Sequence, residues 1–258
     1  MAFKLNESAK NVIINTGNIL SLNDITKKPG QNPTEELVEA LNITIKDFQN
    51  GGNLQSHVEQ PLVITRRHDD LSNKMAEHEI GDLKIGLKVF IGSDNEQYLI
   101  EALEKAFTSL NINSVHNVII AYHEKQNEGQ NDIIGKIKNI WKTLESYARD
   151  KKIFQIGLSD IEENAFRSIY DWADVKPSII QINLATCCVV PPTLQAFCKD
   201  NEVQLLTHSD PNEILPESSI ESVFGIQLKL KWALRFLVHI KCRGVLTTKG
   251  YLVSLSNV

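Results

Sequence analysis

Four cysteines, Cys187, Cys188, Cys198 and Cys242, are the residues whose type and spacing most directly invite chemistry. Cys187 and Cys188 follow the apolar run Ile179–Leu184 and precede Pro191-Pro192, which reads as a helix start. The pair is therefore expected at a strand end facing a helix N-terminus. The partial positive charge there lowers a nearby thiol pKa and makes it more reactive. Free cysteine is also commonly a small buried hydrophobe, and for this pair both readings stay open. Cys198, beside Phe197, reads as core, whereas Cys242, next to Arg243, remains a candidate reactive thiol. Adjacent cysteines cannot both reach one metal at ordinary ligand spacing, and no C-x-x-C or H-E-x-x-H is present, so no metal is expected. The histidines are scattered; His68 and His78, each beside acidic residues, read as solvated. No glycine-rich phosphate loop and no G-x-S-x-G elbow occurs.

The elements that must position such residues follow a regular rhythm. Short β-branched runs recur at 12–14, 62–65, 118–121, 153–156, 179–182 and 203–206. Their continuous rather than alternating hydrophobicity predicts strands buried on both faces, as in a parallel sheet. Between them, Leu99, Leu103, Ala106, Phe107 and Leu110 share one helical face, as do Ile133, Ile137, Ile140, Trp141 and Leu144. Helix starts are marked by Asn32-Pro33-Thr34-Glu35 and by Ser159-Asp160-Ile161-Glu162, the latter read as a capping box. Residues 49–58 and 124–132 are polar and read as surface loops. Strand–helix alternation at this interval predicts an α/β fold, a single (β/α)8 TIM-type barrel over residues 1–258.

Composition narrows the function class. The net charge is −5 and the chain has no basic cluster, so no nucleic-acid partner is expected. The stretch Trp232–Ile240 is interrupted by Arg235 and His239 and is too short for a bilayer, so no membrane association is expected. Few, clustered cysteines and a start without an apolar leader point to a reduced, cytoplasmic protein.

Several segments carry a resemblance. Leu103–Ala121, Trp141–Ser159, Ile179–Asn183 and Val203–Asp210 resemble, in order and spacing, the aldo/keto reductases. The resemblance implies that fold and an ancestral Asp, Tyr, Lys and His constellation, in which Tyr protonates the carbonyl oxygen. Lys88 in Ile85–Phe90 matches the lysine, but Ala121 stands at the histidine position and no tyrosine precedes Tyr98. His123 lies two residues beyond, on a different side of the strand end or in the loop. Ser159 and Gln181 match residues that hold a nicotinamide carboxamide, and His208 stands where an aromatic ring stacks on the nicotinamide. Asp160 replaces an Asn there, and the phosphate-reading C-terminal segment is not recognisable. The pocket reads as vestigial: no cofactor is expected as part of function, with residual NADPH binding left open. Lys88 is read equally as a buried lysine kept for packing or a local ion pair.

A more specific resemblance is to the light-chain, or modifier, family of glutamate–cysteine ligase. It is carried by Thr16–Leu20, Ile156–Asp160, Gln181–Pro192 with its Cys187-Cys188-Val189-Val190-Pro191-Pro192 block, Gln204–Pro211 and Arg243–Tyr251. It implies a non-catalytic regulatory subunit that forms a heterodimer with the catalytic subunit, raises its glutamate affinity and relieves glutathione feedback inhibition. For Cys187, Cys188 and Cys242 it implies partner contact or an intermolecular disulfide. The alternative is an NADPH-dependent aldo/keto reductase whose acid is displaced to Tyr98 or Tyr122.

Overall fold

The computed structural model describes residues 11–22, 25, 32–50, 61–123, 133–183 and 190–257. In chain order the elements are β1 (Asn11–Asn15), α1 (Pro33–Gln49), β2 (Leu62–Thr65), α2 (Leu71–Ala76), β3 (Leu83–Ile91), α3 (Glu96–Leu110), β4 (Val115–Tyr122) and α4 (Ile133–Arg149). They continue with β5 (Ile153–Ser159), α5 (Glu163–Trp172), β6 (Ile179–Asn183), α6 (Pro192–Asp200), β7 (Gln204–His208), α7 (Glu217–Phe224), β8 (Leu228–Ile240) and β9 (Val245–Asn257).

The apolar periodicities form the helices they predict. On α3, Leu99, Leu103, Ala106, Phe107 and Leu110 are all buried, and the Asn95 side chain accepts the Gln97 N–H to start the helix. On α1, the Asn32 side chain accepts the Glu35 N–H, with Pro33 opening the first turn. Pro192 opens α6 in the same way. One expected start differs. Ser159 and Asp160 do not cap α5, which begins at Glu163 without a side-chain cap bond. Asp160 adopts φ 57°, and its carboxylate is drawn to His208 instead. A charge-assisted bond in a half-buried site outweighs a helix cap that solvent can replace.

The chain forms one nine-stranded sheet in the order β2-β1-β9-β8-β3-β4-β5-β6-β7. The run β3 to β7 is parallel, as the rhythm of continuous apolar strands requires. The α/β class is thus observed, and three features depart from a regular eight-fold repeat. First, β8 and β9 form a long antiparallel hairpin wedged between β3 and β1. Second, no pairing joins β2 to β7 among the described residues. Third, helices pack on both faces. Leu87, Val89, Val118, Ile120, Leu158, Leu234 and Phe236 pack under α3, α4 and α5 in one core. Phe90, Ala121, Ala233, Tyr251 and Val253 point the other way, into a second core with α1 and α7. The hairpin was not legible as strands because Lys229, Lys231, Arg235 and His239 break its apolar run. Within the sheet Lys231, Arg235 and His239 fall on partly covered positions while Lys229 stays exposed; β8 pairs with β9 along its length and with β3 over Trp232–Ile240, and β9 pairs with β1 over Leu252–Ser256.

Candidate functional site

The face shared with α1 and α7 carries the chemistry-bearing residues. Register places Lys88 beside Arg235 on β8, and Arg235 beside Tyr251 on β9, so three polar side chains cross the sheet in one row. One row further along, Phe90, Ala121, Ser159 and Gln181 lie side by side across β3, β4, β5 and β6. His208 ends β7 opposite Asn183, and Asp210 follows two residues later.

Asp210 is the hub. Its carboxylate accepts from Lys88 Nζ at 2.7 Å and from both terminal nitrogens of Arg235, and the three residues are largely buried. Burial alone would raise the Asp210 pKa, but the bonds from His208 and Arg235 and the charge of Lys88 hold it far below the usual carboxylate range. Burial, reinforced by the Arg235 charge, lowers the Lys88 pKa, and Asp210 only partly restores it. Asn183 donates to the Asp210 backbone carbonyl at 2.8 Å and fixes the turn that presents the carboxylate.

His208 extends the network. Its Nε2 lies 2.9 Å from Asp160 Oδ1 and 3.0 Å from Ser159 Oγ, while its Nδ1 lies 3.1 Å from the Asp210 backbone nitrogen and 3.3 Å from Asp210 Oδ2. Burial works against the imidazolium, but bonding to the two aspartates prevails and its pKa is raised. Ser159 Oγ accepts from Lys88 Nζ at 2.9 Å and lies 3.0 Å from Asp160 Oδ2. His123 returns an imidazole to this site from the strand end. It shares the parity of Ile119 and Ala121, and its Nε2 lies 3.9 Å from Asp160 Oδ2. It therefore does not point away from Lys88, because the chain continues extended past Tyr122 and hydrogen-bonds Ile91 O.

The structure thus brings Lys88, Ser159 and His208 together, as expected, with Gln181 on the neighbouring strand, its Oε1 buried without a hydrogen-bond partner. Sequence reasoning missed Asp210 and Arg235. The only available signal was a lone arginine in the apolar stretch 232–240 and an aspartate just past a strand end. The displaced-acid candidates do not join the site. Tyr122 alternates onto the opposite face, in the core beneath α4, and Tyr98 lies on α3 under the Lys231 ammonium. Tyr251 does lie in the Lys88–Arg235 row, but it is fully buried and its hydroxyl donates to Glu36 on α1 at 2.6 Å. Cys187 and Cys188 lie outside the described residues. Cys198 is buried, as its neighbours suggest. Cys242 is exposed in the β8–β9 turn, at the sheet end opposite to His123 and Asp160. Among the described residues no cluster of metal-binding side chains occurs, and no helix is long and apolar enough to cross a membrane.

Over 254 residues, 95% of this chain and 92% of its relative, the sequence is 34% identical to the glutamate–cysteine ligase regulatory subunit of Homo sapiens. The chain belongs to the glutamate–cysteine ligase regulatory subunit family. The Mus musculus regulatory subunit matches over the same span at 33% identity. No protein-family model matches. Among solved structures, an aldo-keto reductase complexed with NADPH is similar at a TM-score of 0.44 and 22% identity, over 53% of this chain and 42% of that one. The aldose reductase of Giardia lamblia is similar at a TM-score of 0.41 and 15% identity, over 68% of this chain and 53% of that one. These overlaps carry neither the reductases' cofactor nor their chemistry to this member of the regulatory family.

Proposed function

We propose that this chain is a non-catalytic regulatory subunit, which binds the catalytic subunit of glutamate–cysteine ligase as a cytoplasmic heterodimer. In this reading it raises glutamate affinity and relieves feedback inhibition by glutathione. The observation that carries the reading is 34% identity to a named regulatory subunit across nearly the whole of both chains. The site geometry supports the non-catalytic part. A reductase acid must stand beside the lysine, and neither Tyr98 nor Tyr122 is on the face of Lys88. The residues also fit a nicotinamide poorly. Ser159 Oγ is already committed to Lys88, Asp160 and His208, and the His208 ring edge is held by two aspartates. We therefore route no step through NADPH.

A regulator acts only through unequal affinity for two states of its partner, and couplings of about 1–3 kcal/mol, roughly 5–150-fold, are typical. The test is to add the purified chain to the isolated catalytic subunit and measure the glutamate KM and the glutathione inhibition constant. A fall in the first and a rise in the second are expected; no change in either overturns the proposal. Non-reducing electrophoresis of the oxidised complex, with single Cys→Ser variants at 187, 188 and 242, tells whether a thiol bridges the two chains.

A further inference from the structure

We propose that the cavity lined by β3, β4, β6 and β8 binds a small organic dianion, a phosphate monoester or dicarboxylate, that also carries a hydrogen-bond donor. The cavity has a volume of about 400 Å³, within the range of small-molecule sites. It runs from Lys88 and Arg235 toward the opposite end of the sheet, where Lys84, His239 and Lys241 line it. Lys84 precedes Lys88 by four residues on one strand, so the two ammonium groups are rooted about 13 Å apart. The cavity takes in Lys88 and Gln181 but extends away from the strand ends that carry His123 and Asp160.

The charge is one-sided. Lys84, Lys88, Arg235 and Lys241 line the cavity, and no aspartate or glutamate does so among the described residues. Asp210 compensates one of the two inner cations from behind. The outer two have no carboxylate partner in the cavity, and Lys241 Nζ is braced on the Gly81 carbonyl at 2.6 Å. A cleft lined by one sign of charge focuses the field and concentrates counter-ions. Two imidazoles register that field. Burial lowers the pKa of His239 and Lys84 lowers it further, while burial, Lys241 and Lys84 lower that of His116. Gathering like charges on one cleft costs stability unless an anion joins them.

The donor requirement comes from a separate observation. Gln181 lines the cavity, and its buried Oε1 accepts no hydrogen bond. An unpaired buried acceptor costs about 1–3 kcal/mol, and a hydroxyl or N–H on the ligand would remove that cost. Asn117 on the same wall offers a further polar contact, and Gly86 keeps it open, since a Cβ there would meet Asn117 Oδ1 at 2.7 Å.

The probes are L-malate and glycerol 3-phosphate, each with a hydroxyl, and succinate, a dicarboxylate without one. Binding to the full chain is measured by isothermal titration calorimetry, with melting curves by circular dichroism to verify that each variant is folded. Malate or glycerol 3-phosphate is expected to bind, and Lys84→Ala with Lys241→Ala to weaken it at least about tenfold without changing the melting curve, since both lysines are exposed. Failure of both hydroxylated probes at millimolar concentration overturns the site, as does unchanged affinity in the double variant. Succinate binding as tightly as malate overturns the role given to Gln181. These outcomes are independent of whether the chain regulates a ligase.

Discussion

Replacing Asp210 with asparagine keeps the shape of the side chain and removes its charge, and the geometry sets what that should cost. The carboxylate accepts from Lys88 and from two nitrogens of Arg235. Lys88 and Asp210 have side chains only 5% and 3% exposed, so water cannot take over. Asp210→Asn leaves two buried cations facing each other without the carboxylate they share. Breaking a buried pair by removing one partner typically costs about 3–5 kcal/mol. For a chain of this size that is roughly a 6–20 °C fall in Tm, measurable by urea unfolding and calorimetry. The pH dependence gives a second check. The folded-state pKa of Asp210 lies below its unfolded value, so its stabilisation is present above the ordinary carboxylate range and is lost as pH falls below about 4. The gap between wild type and Asp210→Asn should be full at neutral pH and narrow in acid. A loss under 1 kcal/mol at pH 7, or a gap that stays constant down to pH 3, would refute the hub assignment.

Other outcomes follow from the same residues. Lys88→Met leaves Asp210 paired with Arg235 in charge balance, so it should cost less than half as much as Asp210→Asn in the same unfolding assay. By NMR titration His208 should titrate above 6.5 and His123 below it. The His208 contribution to stability is then complete below pH 6.5 and lost as pH rises through its raised pKa; Asp160→Asn should lower that pKa, and no change would remove the claimed bond. Gly17 has φ 62°, and a Cβ there would overlap the Asp69 carboxyl group, so Gly17→Ala should destabilise by about 1–3 kcal/mol in urea unfolding. Steady-state assays with NADPH and simple aldehydes should show no turnover above background, and a rate abolished by Lys88→Met would restore the reductase reading.

Local pattern fixed much of this molecule before any contact was considered. Continuous β-branched runs predicted the parallel strands β4 to β7, because strands buried on both faces have no polar side to display; β7, at the sheet edge, departs from that burial and leaves Gln204, Leu206 and Thr207 exposed. The spacing of Leu99 to Leu110 and the Asn32-Pro33 start placed two helices for reasons contained within a few residues. Lys88, Ser159 and His208 were legible through family resemblance, each attached to a recognisable strand. What pattern could not supply was partnership. Asp210 and Arg235 lie 25 residues apart in sequence, and each is far from Lys88. Only the insertion of β8 against β3 and the turn after β7 bring the three charges together. The same holds for the hairpin, whose alternating cations look like solvated residues until β1 and β3 flank it. Serine and aspartate at 159 and 160 read as a cap from local sequence, yet long-range ion pairing claimed them. Periodicity and capping depend on neighbours along the chain, so the sequence by itself determines them. Charge compensation, cavity shape and which face a strand turns inward depend on groups distant in sequence, and only the tertiary structure decides those.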